Sequence, residues 1–377
     1  MIFNLMLLFV PIALLLKYGF HAPPLMIFGA AILGIVPLAE WVRRGTEHVA
    51  ERIGSGIGSL LNVSFGNAPE LILALFVLMD GHADVVKGQI TGSIIGNGLL
   101  GLGLAALIGG AKRERQKFHP ERASLMASML ILSMIALMVP AFFDYTERGV
   151  FPGRDSVALN ENLSLGVSAV LILLYIANLV YTLWTHRGIF SPGAGETEGE
   201  GEAENAGHDG PGHEPWPLWK SISVLAGATI ATALMAELAS GALEASASAL
   251  HVSTFFLGVT VLAVVGNAAE YVSAVYFAKK DQMGMVVNIT VGSSVQISLM
   301  MAPLLVILSY LLGHPMDLVF ANPLELAAIA STAFAVNTIA RDGETTWFEG
   351  LMLVGVWLVL AIAFYYAAPP AGVVGAG

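Results

Sequence analysis

Five residues, Gly66-Asn67-Ala68-Pro69-Glu70, return two hundred positions later as Gly266-Asn267-Ala268-Ala269-Glu270, each time inside a strongly apolar segment. The same offset aligns Gly92-Ser93 with Gly292-Ser293. No other feature restricts the folds open to this chain as much as a duplicated carboxylate in hydrocarbon. A charge at the centre of a membrane helix costs roughly 2.5–3.5 kcal/mol on insertion scales, so such residues mark ion or proton sites. Two of them in matched halves predict a transport site to which both halves contribute.

Composition agrees. Mean hydropathy is +0.75 and 12% of residues are charged, against about 25% in a soluble domain. The expected class is an all-α polytopic membrane protein, and the 41 glycines suit close helix packing and broken helices. The chain has no cysteine, which excludes disulfides and thiolate metal sites. The net charge of −11 is local rather than global. Glu196, Glu198, Glu200, Glu202, Glu204, Asp209 and Glu214 crowd one short stretch without Lys or Arg. Elsewhere 17 basic residues face 21 acidic ones, and no basic surface suggests nucleic acid.

Apolar runs predict eleven spans, near 2–18, 23–42, 50–79, 85–110, 122–143, 160–186, 218–246, 252–278, 284–312, 322–340 and 347–368. Met1–Leu16 has no basic residue before it, so it reads as a retained helix rather than a secretory signal. With the N-terminus cytoplasmic, thirteen Lys and Arg fall in inside loops and four outside. That orientation puts the acidic stretch inside as well. The expected organisation is an N-terminal helix (1–20), a five-helix repeat (22–187), an acidic linker (188–217) and a second five-helix repeat (218–370). Five is odd, so the second repeat enters from the opposite side, an arrangement that places substrate sites near the midplane. Ala39-Glu40 with Glu47 and Ala236-Glu237 with Glu244 extend the repeat, the two acids seven apart in both. The linker, rich in Gly, Glu and Pro, is expected to be a solvated loop, with weak regulatory cation binding as its alternative.

On a helix Asn67 and Glu70 share a face, as do Asn267 and Glu270. Pro69 lacks an N–H for the Phe65 carbonyl, which is expected to free that oxygen for a cation. The second copy has Ala269, so this device is expected on one side only. Ser93 with Asn97, and Ser293 with Gln296, supply neutral oxygens one helical turn apart. Two carboxylates with amide, hydroxyl and carbonyl oxygens suit a hard divalent ion such as calcium, which takes six to eight oxygens. Asn67 and Asn267 have an alternative reading as interhelical hydrogen-bonding glue, and the serines as packing residues. Glu237, Glu244, Glu40 and Glu47 read either as proton-path acids or as interfacial carboxylates, with Glu237 expected deepest.

These motifs resemble the cation/proton exchanger (CAX) family of the calcium/cation antiporter superfamily. The resemblance rests on Leu61-Asn62-Val63-Ser64-Phe65 leading into the first motif, on the second motif, on Gly292-Ser293-Ser294-Val295-Gln296-Ile297 and on the acidic stretch between the halves. It implies eleven helices, two repeats of opposite topology and export of cytosolic Ca2+ in exchange for H+. It also implies Glu70, Glu270, Asn67, Asn267 and Gln296 as site residues. Sodium/calcium exchangers of the superfamily carry an additional carboxylate near the last position, where this chain has a neutral amide. That favours protons over sodium.

The expected mechanism is a competition. Two carboxylates balance one divalent cation; once it leaves, burial and mutual repulsion favour uptake of protons by the pair, Glu70 and Glu270. No resident cofactor and no enzymatic activity are expected, Ca2+ and H+ are the cargo, the bilayer is the surroundings, and a homo-oligomer is left open. Sodium-coupled calcium exchange, Mn2+/H+ antiport and, remotely, a passive cation channel are the rival functions. A prokaryotic plasma membrane is the expected location.

Overall fold

The structure is a computed structural model that describes residues 2–53, 61, 65–150, 157–182, 216–320 and 322–367. The expected linker lies almost wholly outside them, as do Asn62-Val63-Ser64 of the first motif's lead-in. Nearly every described element is helical. The first are α1 (Ile2–Met6), α2 (Phe9–Leu14), α3 (Pro24–Ile53) and α4 (Ala68–Met79), with a π-helical turn over Leu15–Gly19 between α2 and α3. Then come α5 (Ala83–Ile95), a π-helical segment Gly96–Gly101, α6 (Leu102–Gly110), a two-residue strand β1 (Gln116–Lys117), α7 (Pro120–Val150) and α8 (Val157–Val180).

The second half opens with α9 (Leu218–Gly241) and α10 (Leu243–Leu250). After these come α11 (Thr254–Phe256), a π segment Leu257–Leu262, α12 (Ala263–Gly266) and α13 (Ala268–Lys279). The chain closes with α14 (Met283–Gln296), a π segment Ile297–Met301, α15 (Ala302–Leu311), α16 (Pro323–Asp342), β2 (Glu344–Thr345) and α17 (Trp347–Ala367). β1 and β2 pair antiparallel, Gln116 opposite Thr345.

Eight described helices are long and apolar enough to cross a membrane, nine if Leu243–Leu250 and Thr254–Gly266, bent by 104°, count as one span. The expected eleven are not reached among the described residues. Asn4–Gly19 and Ala68–Met79 are shorter apolar helices, and the expected span 252–278 is interrupted at the motif itself.

The duplication reappears as local geometry. The chain breaks at Asn67 (φ −100°, ψ 17°) and at Asn267 (φ −92°, ψ 4°). α4 and α13 both end in a turn with a left-handed residue, Gly81 at φ 88° and Asp281 at φ 65°. In those turns His82 N–H donates to Val77 O and Gln282 N–H to Phe277 O, each at 3.1 Å. π-Helical segments follow Ile95 and Gln296 in the two halves. Such segments occur mostly as local bulges and often at functional sites.

Compact units cut across the repeats. One draws on Met1–Gln89, Ala206–Ala269 and Phe364–Gly377, the other on Ile90–Asn205 and Glu270–Ala363. In the first unit the leading helices of the two repeats, α3 and α9, lie along each other. Gly34 meets Met235 while Gly45 meets Leu225, so the pair runs antiparallel, as an inverted repeat requires. At Gly45 a Cβ would come 3.0–3.1 Å from Leu225 backbone and Cβ atoms, so any larger residue would have to push α9 outward by a few tenths of an ångström. In the second unit α16 packs on α7, α14 on α7, and α15 on α8.

Candidate ion-binding site

Proline does not explain both motif breaks. α4 starts at Ala68 with Asn67 as its cap, so Pro69 sits in the first turn, where a missing N–H costs nothing. α4 never extends back to Phe65, and the expectation that Pro69 frees that carbonyl from a continuous helix is corrected. Phe65 precedes the break with its side chain 38% exposed. The second copy breaks at the same place without a proline. There the Asn267 side-chain amide donates to Ala263 O at 2.8 Å, competing with the main-chain ladder.

In the first unit the halves interlock. Glu70 is 2% exposed, Asn67 3% and Asn267 1%. Asn267 Nδ2 donates to Glu70 Oε1, joining the carboxylate of one motif to the amide of the other. The amide's N–H groups thus face Glu70 and Ala263. Gly266 makes room for this: a Cβ there would lie 2.8 Å from Glu70 Cγ. Gln89 Nε2 donates to the Glu70 main-chain oxygen at 3.3 Å.

In the second unit Ser293 Oγ donates to Glu270 Oε1 at 2.9 Å, and Glu270 and Gln296 are half-buried. Ser93 and Asn97 are fully buried. Ser294 Oγ donates to Ile94 O at 3.3 Å, so α5 and α14 touch one residue beyond Ser93 and Ser293. Tyr271, next to Glu270, lies along the π segment that holds Asn97. A Cβ at Gly96 would collide with its hydroxyl, and one at Gly101 would sit 2.8 Å from its ring.

The far end of α13 is fastened. Arg113 donates to Gly109 O at 2.6 Å and Lys279 O at 3.0 Å, and Gln116 Nε2 donates to Ala278 O at 2.9 Å. Gly109 packs directly on Ala278, where a Cβ would come within 2.6 Å. The C-terminal carbonyls that a helix leaves unsatisfied are thereby bound.

The candidate proton-path acids divide. Glu40, at 3% exposure, is the most buried of the four, and Arg43 Nη2 at 2.8 Å and Arg44 Nε at 2.7 Å hold it. Glu47 also pairs with Arg43. Glu237 is exposed, because its neighbours Ala236 and Leu238 take the buried face of α9. The expectation that Glu237 lies deepest is therefore corrected. Glu244 is exposed too, 3.8 Å from His82. The sequence reading passed over Glu325, a 3% exposed carboxylate that accepts from Thr91 Oγ1 at 3.0 Å. Its signal was present as an acid in the apolar run 322–340.

Among the described residues no three His, Asp or Glu side chains converge as a metal cage. A cation held by the motif residues would therefore rely on carboxylates supplemented by amide and hydroxyl oxygens, a donor set for hard ions.

Comparison with known proteins gives a consistent answer. The chain is 40% identical to the Ca(2+)/H(+) antiporter of Synechocystis sp. over 346 residues, covering 90% of this chain and 91% of that protein. It is 38% identical to the Ca(2+)/H(+) antiporter ChaA of Bacillus subtilis, covering 92% and 93%. The solved structure of native YfkE superposes with a TM-score of 0.78 at 33% identity, covering 97% of this chain and 99% of that one. The profile of the sodium/calcium exchanger proteins matches residues 24–184 and 220–366, both repeats. This chain belongs to the sodium/calcium exchanger protein family, within its cation/proton exchanger branch.

Proposed function

We propose that this integral membrane protein is a Ca2+/H+ antiporter, a transporter and not an enzyme. In this reading Glu70 and Glu270 bind either Ca2+ or protons, and the protein works by alternating access. Asn67, Asn267, Ser93, Ser293, Asn97 and Gln296 supply neutral oxygens to the ion, and Phe65 at most its main-chain carbonyl. Similarity to proteins named Ca(2+)/H(+) antiporters supports the exchange. The observation that carries the site is the hydrogen bond from Asn267 to Glu70, by which residues 197 positions apart form one polar group.

The chemistry follows from charge. A divalent cation neutralises two carboxylates, and so do two protons. Either state is neutral and can rearrange in a low-dielectric interior, whereas the doubly ionised empty state is penalised. Exchange needs no further part. The neutral amide of Gln296 favours protons over sodium as counter-ion. The N-terminus and the acidic linker are assigned to the cytoplasm, the membrane to a prokaryotic plasma membrane, and no resident cofactor is required. Glu40 and Glu47, tied to arginines, serve better as a structural ion cluster than as proton carriers, and exposed Glu237 and Glu244 as entrance acids.

The test is uptake of radiolabelled calcium into liposomes under an imposed pH gradient, then under a sodium gradient, with Mn2+ as competitor. Uptake driven by pH alone is expected. Uptake driven by sodium alone would overturn the counter-ion, and conductance that persists without a proton gradient would indicate a channel.

A further inference from the structure

α8 is inside out. Its lipid-type face is apolar, with Val170, Leu173, Leu174 and Ile176 about half exposed or more. Its buried residues are Asn160, Ser164, Ser168, Leu171 and Tyr175, four of the five polar. They recur at helical spacing, one line of side chains along roughly 22 Å of helix at about 1.5 Å per residue. A buried face against α7, α15 and the π segment Ile297–Met301 should be apolar if packing were its only task.

Close packing of small residues does not explain the line. Tyr and Asn are not small, and Gly166, the one glycine of α8, has nothing within 4 Å of the place a Cβ would take. The hydroxyls elsewhere in these helices bond back to the carbonyl four residues earlier, as Thr232, Thr290 and Thr332 do. Ser168 does not. Asn160 Oδ1, Ser168 Oγ and Tyr175 Oη are all buried without a hydrogen-bond partner among the described residues. Each residue is at most 6% exposed. A buried polar atom left without a partner costs about 1–3 kcal/mol, and such atoms are ordinarily met by internal water.

Two further groups give the line ends. Asn160 Nδ2 donates to Asp144 Oδ1 at 2.6 Å, placing a 7% exposed carboxylate of α7 at one end. Along its wall Ser133 and Ser298 share a hydrogen bond of 2.8 Å, and Ser298 lies in the π segment that begins directly after Gln296. Ionisable groups described on these elements include Asp144 and Glu147 on α7, Glu161 and Tyr175 on α8, Tyr310 on α15 and Asp317 beyond it, Glu161 and Asp317 lying near Tyr310.

We propose that the buried face of α8 is a hydrated polar seam that conducts protons between Asp144 and the π segment beside Gln296, an entry separate from the path of the metal. Its ligand is water, and hydronium in transit. A proton taken up by one water or hydroxyl oxygen displaces a proton from the same oxygen to the next, so each transfer conserves atoms and charge. This rests on the Ca2+/H+ exchange proposed above for the direction of proton use, but not for the hydration itself.

The experiment uses the full-length protein in liposomes. Asn160→Leu, Ser168→Ala and Tyr175→Phe together remove the three polar atoms at similar volume. Proton-driven Ca2+ uptake is expected to fall about tenfold, the effect of roughly 1.4 kcal/mol on a barrier. Ca2+/Ca2+ self-exchange, which moves no proton, should stay within about twofold, since the metal site is untouched. Equal retention of both, or equal loss of both, overturns the proposal. If the triple variant does not fold, hydroxyl-radical footprinting of the unaltered protein decides instead. Oxidation of Tyr175 well above that of lipid-facing Tyr366 is expected, and a protected Tyr175 overturns the proposal. An unaltered protein that exchanges Ca2+ for Na+ would defeat the function assigned above while leaving the footprint to be read on its own.

Discussion

The helices that carry the two motif acids, α4 and α13, start alike and end differently. Each begins one residue after an asparagine break and holds its glutamate in the first turn. Around Glu70 the surroundings include the Asn267 amide and the bare backbone of Gly266. Around Glu270 they include the Ser293 hydroxyl, with the acid only half-buried. At the far ends, Ser240 donates to Asp80 beside α4 at 2.5 Å, whereas α13 has the guanidinium of Arg113 and the amide of Gln116 across its last carbonyls. Duplication preserved the backbone turns and let the contacts diverge. One acid is positioned by what surrounds it, the other by how its helix is tied down.

That contrast can be broken at several points. Glu70→Gln and Glu270→Gln remove the charge that balances the metal, and each should cut pH-driven Ca2+ uptake at least about a hundredfold; near-normal flux from either would end the account of a shared pair. Next in size is Gly266→Ala. Its methyl must displace the Glu70 side chain, so Ca2+ affinity should fall about tenfold. Gly292→Ala, with only Asn288 Oδ1 at 3.8 Å, should leave affinity within about twofold. Isothermal titration reads both, and equal losses would show that the close contact at Gly266 is unimportant.

Arg113→Ala probes the fastened end. Loss of a charged hydrogen-bond donor to two helix ends should cost about 1.5–3 kcal/mol, lowering the thermal midpoint while Ca2+ affinity weakens only several-fold. Arg113→Lys should recover little, since a point charge cannot bridge both carbonyls. Smallest is Glu237→Gln. An exposed acid with no place in the buried pair should change uptake less than about twofold, and a large loss would return it to the proton path.

Much of this was legible in the sequence because a membrane punishes error. An acid in hydrocarbon is rare, so the twin motifs could be found by eye, and the antiparallel packing of α3 on α9 fits the expected inversion of topology. What escaped was whatever depends on rotation about a helix axis. Glu237 and Glu40 occupy matched positions in sequence, yet one faces outward and the other is held by two arginines. Pro69 drew an expectation confined to the first copy, since proline is conspicuous in a sequence while an asparagine side chain bonding back to Ala263 is not. The polar line on α8 is visible in the run 160–186 once phase is considered, but no single residue in it is unusual. Short helices such as α4 defeat a count of spans based on hydropathy windows.

Metal occupancy of the purified protein as a function of pH tests the central claim most directly. If Ca2+ and protons compete for Glu70 and Glu270, binding should weaken steeply as pH falls, by up to about a hundredfold per unit where two protons are displaced. A pH indicator should register up to two protons released for each Ca2+ bound. Affinity that stays flat between about pH 5 and 9, with no proton release, would contradict the competition on which the account rests.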